Sequence, residues 1–475
     1  MMNHPKFWFE QISQIPRGSL NEKEIAGYLV DFAKKHQLSF VCDDMNNVLI
    51  RKPGQHGGED SQSVLLQGHT DMVCEKAPDH DHDFTKDPIE LIEEDGWLRA
   101  NHTTLGADDG FAVAYMLALL ENSEIKHPPL ECLFTAAEEI GLLGAVAFDT
   151  ALLKSKRCIG LDSGGENRTV ITTSGGIRGK AKLKTEKNTV YPNALQVFVE
   201  GAIGGHSGID IAKQRANAAV LLARVAFEYE KETGDSIGVI NIQVGKSENA
   251  IPFAGEMVLG SPSEFNLTII NETIKRNVVQ YEISDPNVRI TYKSVEGQIG
   301  FDALSSMNFI RFAYLFFQGV QWMSLDIQGL PLLSANLGYL KVIDDTLVAG
   351  FSFRSPISDM LDQNIARVQV LADLLNLDTE FTSRYPGYPY EKNSPLRNMY
   401  QQWFLNHTGQ ELKLDASHGG LELGIWKGAI PDLDIITMGP IHELIHTFNE
   451  KMSLASFDIV YQRLCAFLGE LSDVQ

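Results

Sequence analysis

Cysteine is scarce and unpatterned in this sequence. The five cysteines (Cys42, Cys74, Cys132, Cys158, Cys465) are scattered and odd in number, with no Cys-x-x-Cys pair among them. This excludes a disulfide framework and a cysteine zinc site, and it suits reduced, mostly buried thiols in a cytoplasmic protein. No apolar run reaches the length of about eighteen residues that a membrane span needs, so none is expected. The opening residues, Met1-Met2-Asn3-His4-Pro5-Lys6, lack the basic-then-apolar layout of a signal peptide. Positive charge is also short. Lys and Arg number 40 against 62 Asp and Glu, a formal charge of -22. Without a basic face, nucleic acid is not an expected partner. The acidic surplus keeps the protein soluble, and is smaller in effect if some of the acids bind divalent metal.

What the sequence does have is length and alternation. Its 475 residues predict two or more domains. Residues 6–38 have helical spacing, 41–51 read as a strand with an Asp43–Asn47 turn inside, and 75–95 read as a polar surface loop. Short apolar strands then alternate with helices. Ser63–Gln67 runs into Gly68-His69-Thr70-Asp71, and Gly106-Ala107-Asp108-Asp109-Gly110 opens an apolar helix. Leu130–Phe134 runs into Glu138-Glu139, and Cys158–Leu161 into Asp162. This texture predicts an α/β fold, a mixed sheet flanked by helices. From about 178 to 388 the alternation changes. Helices are expected at 209–232, 263–279, 305–323 and 358–377, with strands between, in two successive strand–helix cycles that suggest an inserted, duplicated α+β module. The first texture returns from 389 to 475, so residues 1–177 and 389–475 read as one interrupted domain.

In open α/β sheets functional residues collect at the carboxyl ends of strands. Here those ends carry His69, Asp71, Glu138, Glu139 and Asp162, with Asp108 at a helix start and His446 near the end of the chain. Taken singly, each has an ordinary explanation. Adjacent glutamates are usually an exposed turn, Asp108 a helix N-cap, Asp162 a turn-former, His446 a surface residue. Taken together, two imidazoles and several carboxylates make a mixed nitrogen–oxygen donor set. Such a set suits zinc, and also cobalt or manganese, better than calcium or magnesium. Two such ions can clamp a hydrolytic water.

Five motifs carry a resemblance: His69-x-Asp71, Gly106-Ala107-Asp108-Asp109-Gly110, Glu138-Glu139-x-Gly141, Leu161-Asp162-Ser163-Gly164, and Gly439-Pro440 followed by His446-Thr447-x-Asn449-Glu450. In order and position they resemble the two-zinc exopeptidase family of carboxypeptidase G, peptidase T and aminoacylase. The large insertion and the turn Ser417-His418-Gly419-Gly420-Leu421-Glu422 are most similar to its aminoacyl-histidine dipeptidase branch. The resemblance implies two divalent ions, zinc first, with Asp108 bridging them. His69 and Asp162 would complete one site and Glu139 and His446 the other. Asp71 would orient His69, Glu138 would be the general base, and the Asp108–Asp109 peptide would be cis. His442, four residues from His446, competes for the last ligand position.

The insertion would be a lid that closes by hinge motion over a small peptide. Gly204-Gly205-His206-Ser207-Gly208 resembles the family segment whose histidine polarises the scissile carbonyl, although it also reads as a Gly turn before a helix. Asn249-x-Ile251-Pro252 resembles a second lid motif. Arg354 would hold the substrate carboxylate or, on the plainer reading, a surface ion pair. Gly420 would let the backbone approach the substrate. The resemblance implies a cytoplasmic homodimer that hydrolyses L-dipeptides, Xaa-His among them. An N-acyl amino acid deacylase on the same scaffold is the alternative, and a non-catalytic peptide- or metal-binding protein is a third reading.

Overall fold

The computed structural model describes residues 4–473. The chain forms two compact units. One comprises the described residues up to Thr173, then Tyr388–Ala416 and those from Leu421 onwards, and the other Ser174–Gly387 with Ser417–Gly420.

The first unit is built on a six-stranded mixed sheet. Its order is Ser39–Cys42, Val48–Lys52, Leu130–Thr135, Val64–His69, Arg157–Gly160, Asp434–Thr437. The last four strands are mutually parallel; Val48–Lys52 joins them antiparallel, and Ser39–Cys42 pairs antiparallel with Val48–Lys52. Val64–His69 and Leu130–Thr135 are buried at every position. Parallel strands covered on both faces need continuous apolar runs, which is what made these segments legible. Between them in sequence comes Ala107–Glu121, a helix buried almost all round, with Phe111, Met116, Leu117 and Leu119 fully enclosed. Each such side chain stabilises the fold by about 1.5–3 kcal/mol.

Several boundaries differ from those expected. Residues 6–38 form two helices, Pro5–Ile12 and Lys23–Lys35, separated by an irregular stretch that carries the buried Arg17. The polar 75–95 segment ends in a strand, Leu91–Glu94, which pairs with Trp97–Ala100. A small sheet continues from there through Lys451–Ser453 to His442–Glu443.

The second unit has its own core around a nine-stranded sheet whose pairings are all antiparallel. The strands of both expected strand–helix cycles belong to this one sheet. The helix expected over 209–232 starts only at Ala218, because Asn217 caps it by accepting the Ala219 and Val220 N–H groups. The apolar run 305–323 is not one helix. It is a helix, Ala303–Leu315, followed by a strand, Gly319–Met323, with Gly319 at φ +102° in the turn.

Candidate active site

Because four strands of the first sheet run parallel, their carboxyl ends lie along one edge. His69 closes Val64–His69, directly opposite Thr135, and Glu138 and Glu139 follow Thr135 by a few residues. Gly160 precedes Asp162, and its neighbour in register is Thr437, after which the chain runs on to His446. Asp108 comes from the start of the Ala107–Glu121 helix, where Asp108 and Asp109 have non-helical backbone angles and the peptide between them is cis.

The side chains converge. Asp108 Oδ1 lies 3.2 Å from His69 Nε2, and its Oδ2 lies 3.3 Å from His446 Nε2. The same His446 nitrogen is 3.1 Å from Glu139 Oε1. Donor atoms of His69, Asp109 and Asp162 lie within 4.8 Å of one another, as do those of His69, Glu138 and Glu139. His69, Asp71 and Asp109 are buried, whereas the His446 side chain is 46% exposed. His446 therefore stands at the mouth. His442, its ring 5.8 Å from that of Phe111, belongs to none of these groups.

Asp71 works behind the donor set. Its carboxylate accepts the backbone N–H groups of Glu138 (3.0 Å) and Glu139 (3.2 Å) and the Ser19 hydroxyl (2.7 Å). The His69 Nδ1 bond goes to the Asp71 backbone carbonyl at 3.1 Å, with the carboxylate at 3.4 Å. Asp71 thus contacts the imidazole and holds the glutamate turn together.

The electrostatics are those of an overcrowded acidic box. Burial, followed by the neighbouring acids, raises Glu138 well above its ordinary pKa and Asp162 to about 7. Burial raises Asp109 in the same way. Burial opposes ionisation of Asp108 too, but the His446 and His69 contacts overcome it and the pKa falls. His446 rises to about 10 through its contacts with Asp108 and Glu139.

In the second unit, His206, Arg354, Asn249 and Gly420 lie in one neighbourhood. Arg354 Nη2 is 3.4 Å from His206 Nε2, and Arg354 donates to the hydroxyls of Ser207 (3.3 Å) and Tyr385 (3.2 Å). The Ser207 N–H donates to the Asn249 carbonyl at 2.8 Å, and His206 pairs with Ala250. A Cβ on Gly420 would meet the Tyr385 ring at 2.5 Å, so only glycine fits there. The Arg354 guanidinium meets these hydroxyls and the His206 ring with no carboxylate among its recorded partners in the described residues, and burial followed by the Arg354 charge lowers His206 to about 4. His418, between the hydroxyls of Ser174 and Ser334 at 2.7 Å each, is lowered to about 3, first by burial and then by Arg354.

The profile of the peptidase family M20/M25/M40 matches residues 65–470. This chain belongs to that family. Among its relatives, the cytosol non-specific dipeptidase of Escherichia coli (strain K12) is 31% identical over 473 residues, covering 98% of this chain and 96% of that one. The solved aminoacylhistidine dipeptidase from Vibrio alginolyticus is 28% identical, with a TM-score of 0.88 over 98% of this chain and 96% of that chain. The aminopeptidase PepT from Bacillus cereus, at 15% identity and a TM-score of 0.57 over the whole of both chains, shares the fold.

The residues of this M20 peptidase fit a pair of divalent ions. Two donors on one tetrahedral zinc, at bonds of about 2.0–2.1 Å, stand about 3.3 Å apart. The His69–Asp108, Asp108–His446 and His446–Glu139 separations of 3.2, 3.3 and 3.1 Å have that spacing. Glu139 Oε1 is buried with only the His446 ring nitrogen, 3.1 Å away, beside it, which leaves room in its surroundings for a cation. Divalent charge would also reverse the upward pressure on Glu138 and Asp162.

Three residues of this peptidase have structural roles that the sequence did not assign to them. Glu422 is buried and accepts from Gln67 and from Thr135 (2.6 Å), tying the strands that carry His69 and Glu138. Burial raises its pKa to about 8. Arg17 and Glu450 grip the backbone around Asp108. Glu422 and Glu450 were visible only as members of motifs, and Arg17 lies inside the 6–38 stretch expected to be helical, in what proves to be the irregular link between two helices.

Proposed function

We propose that this M20 peptidase is a metal-dependent dipeptidase of broad specificity for L-dipeptides, Xaa-His substrates among them. Similarity along nearly the whole chain to a non-specific dipeptidase supports the substrate class. The observation that carries the mechanism is Asp108, with one carboxylate oxygen facing each imidazole at ligand–ligand distance.

In this reading two ions would be held by Asp108 in common, one also by His69 and Asp162 and the other by Glu139 and His446. Zinc is the proposed metal, with cobalt or manganese as alternatives that the same donors accept. Bound there, the ions supply Lewis acidity and a water acidic enough to lose its proton near neutral pH. Glu138, buried beside His69 and Glu139, accepts that proton and returns it to the leaving amine. Asp71 keeps the His69 ring and the Glu138–Glu139 backbone in register. In the second unit, which we propose acts as the lid, neutral His206 donates to the developing oxyanion and Arg354 holds the substrate carboxylate. Asn249 and Gly420 shape the walls around these groups. We further propose that the protein acts in the cytoplasm as a homodimer.

Metal analysis combined with turnover of a small dipeptide panel tests this reading. Two ions per chain and hydrolysis of several L-dipeptides are expected. Cleavage of an N-acyl amino acid in place of dipeptides would replace the substrate assignment with deacylation. Two bound ions with no turnover of either class would reduce the protein to a binder.

A further inference from the structure

Glu450 lies four residues beyond His446 and is 3% exposed. Its carboxylate receives four consecutive backbone N–H groups. Leu105 (2.8 Å) and Gly106 (2.9 Å) donate to Oε2, while Ala107 (2.9 Å) and Asp108 (3.3 Å) donate to Oε1. These residues open the Ala107–Glu121 helix, and Gly106 stands there at φ +67° with no side-chain cap of its own. The carboxylate therefore caps the helix from a segment far away in sequence. It meets the orphan N–H groups and the positive end of the helix dipole together.

Arg17, 2% exposed, grips the same turn through its carbonyls. It donates to Gly106 O at 2.6 Å, to Thr70 O at 3.0 Å and to Asp71 O at 3.4 Å. Gly106 is thus held at its N–H by Glu450 and at its carbonyl by Arg17. Between them the two side chains connect the segments that carry His69, Asp108 and His446.

We infer that Glu450 and Arg17 are positioning residues that fix the backbone of Asp108 against His69 and His446, and so preset the donor spacing for the metal pair. The inference rests on the two-ion reading of the site. A bridging carboxylate must present both oxygens at once, so a small shift of its backbone weakens both ion sites. Partners one step behind the ligands typically change metal affinity by about 10–100-fold. A carboxylate is required at position 450, because an amide would keep one acceptor oxygen and turn its NH2 towards two N–H donors.

Cobalt titration of the apo-protein, followed by visible absorption and paired with thermal unfolding of the metal-free chain, tests this. Glu450→Gln is expected to bind cobalt about 10–100-fold more weakly, with a changed visible spectrum. Glu450→Asp, which keeps both oxygens, should recover part of that loss. A merely structural role would lower the unfolding midpoint but leave cobalt affinity and spectrum at wild-type values, and that result overturns the assignment. So would failure of both Glu450→Gln and Glu450→Asp to fold, since the clamp would then be a folding element. If the wild-type protein itself takes up no cobalt, the two-ion reading fails instead.

Discussion

Replacing Asp71 by Asn probes the support of the site without touching a proposed ligand. The carboxylate accepts from Glu138 N, Glu139 N and Ser19 Oγ at 3.0, 3.2 and 2.7 Å, and it is completely buried. Hydrogen bonds to a charged group contribute about 1.5–3 kcal/mol each. An amide of the same shape loses the charge and points its NH2 at one of the two backbone N–H donors. At least one bond is lost and a donor faces a donor, so the apo-protein should lose about 2–4 kcal/mol of stability. The loss falls on the turn bearing Glu138 and Glu139, so metal affinity should drop by about 10–100-fold as well. Urea unfolding of the metal-free protein and a cobalt titration measure the two effects. Stability within about 0.5 kcal/mol of wild type, together with unchanged cobalt affinity, would refute the support assigned to Asp71.

Other perturbations separate the parts of the account. Gly439→Ala puts a Cβ onto the Ser163 carbonyl oxygen, next to Asp162. Backbone cannot step aside as a side chain can, so a loss of at least about 3 kcal/mol is expected, and a melt within a degree of wild type would contradict it. Chelation should lower the unfolding midpoint. Ions at 100 times their Kd contribute about 2.7 kcal/mol, and an unmoved midpoint would mean that no tight site exists. His418, facing Ser174, Ser334, Arg354 and His206, stays neutral in the fold down to about pH 3 against an ordinary 6.5. Below 6.5 the unfolded chain takes up a proton that the folded chain refuses. Stability is therefore full above 6.5 and falls towards pH 3, by up to about 1.4 kcal/mol per pH unit from this residue. His418→Asn should flatten that acid limb in urea titrations across the range. An unchanged slope would show that the imidazole is not held neutral.

The donor residues were legible for a physical reason. A parallel strand buried on both faces is a short apolar run, and the polar residue just past it has few places to go but the sheet edge. His69, Glu138 and Asp162 each follow such a run. Residues that act on backbone atoms leave no comparable trace. Arg17 reaches Gly106 across 89 positions and Glu450 reaches Asp108 across 342, and neither lies on a helix or strand of the structure. Misread boundaries have local causes. The 305–323 run is of nearly continuous apolar character, and that concealed the break between a helix and a strand that begins at Gly319. The helix expected from 209 waits for the Asn217 cap.

The central claim is that the paired glutamates do different work, Glu139 as ligand and Glu138 as base. Glu138→Gln, assayed for both metal content and dipeptide turnover, tests it most directly. The account predicts a fall in kcat of about 10²–10⁴-fold with two ions still bound per chain. Turnover near the wild-type rate with both ions present would contradict it.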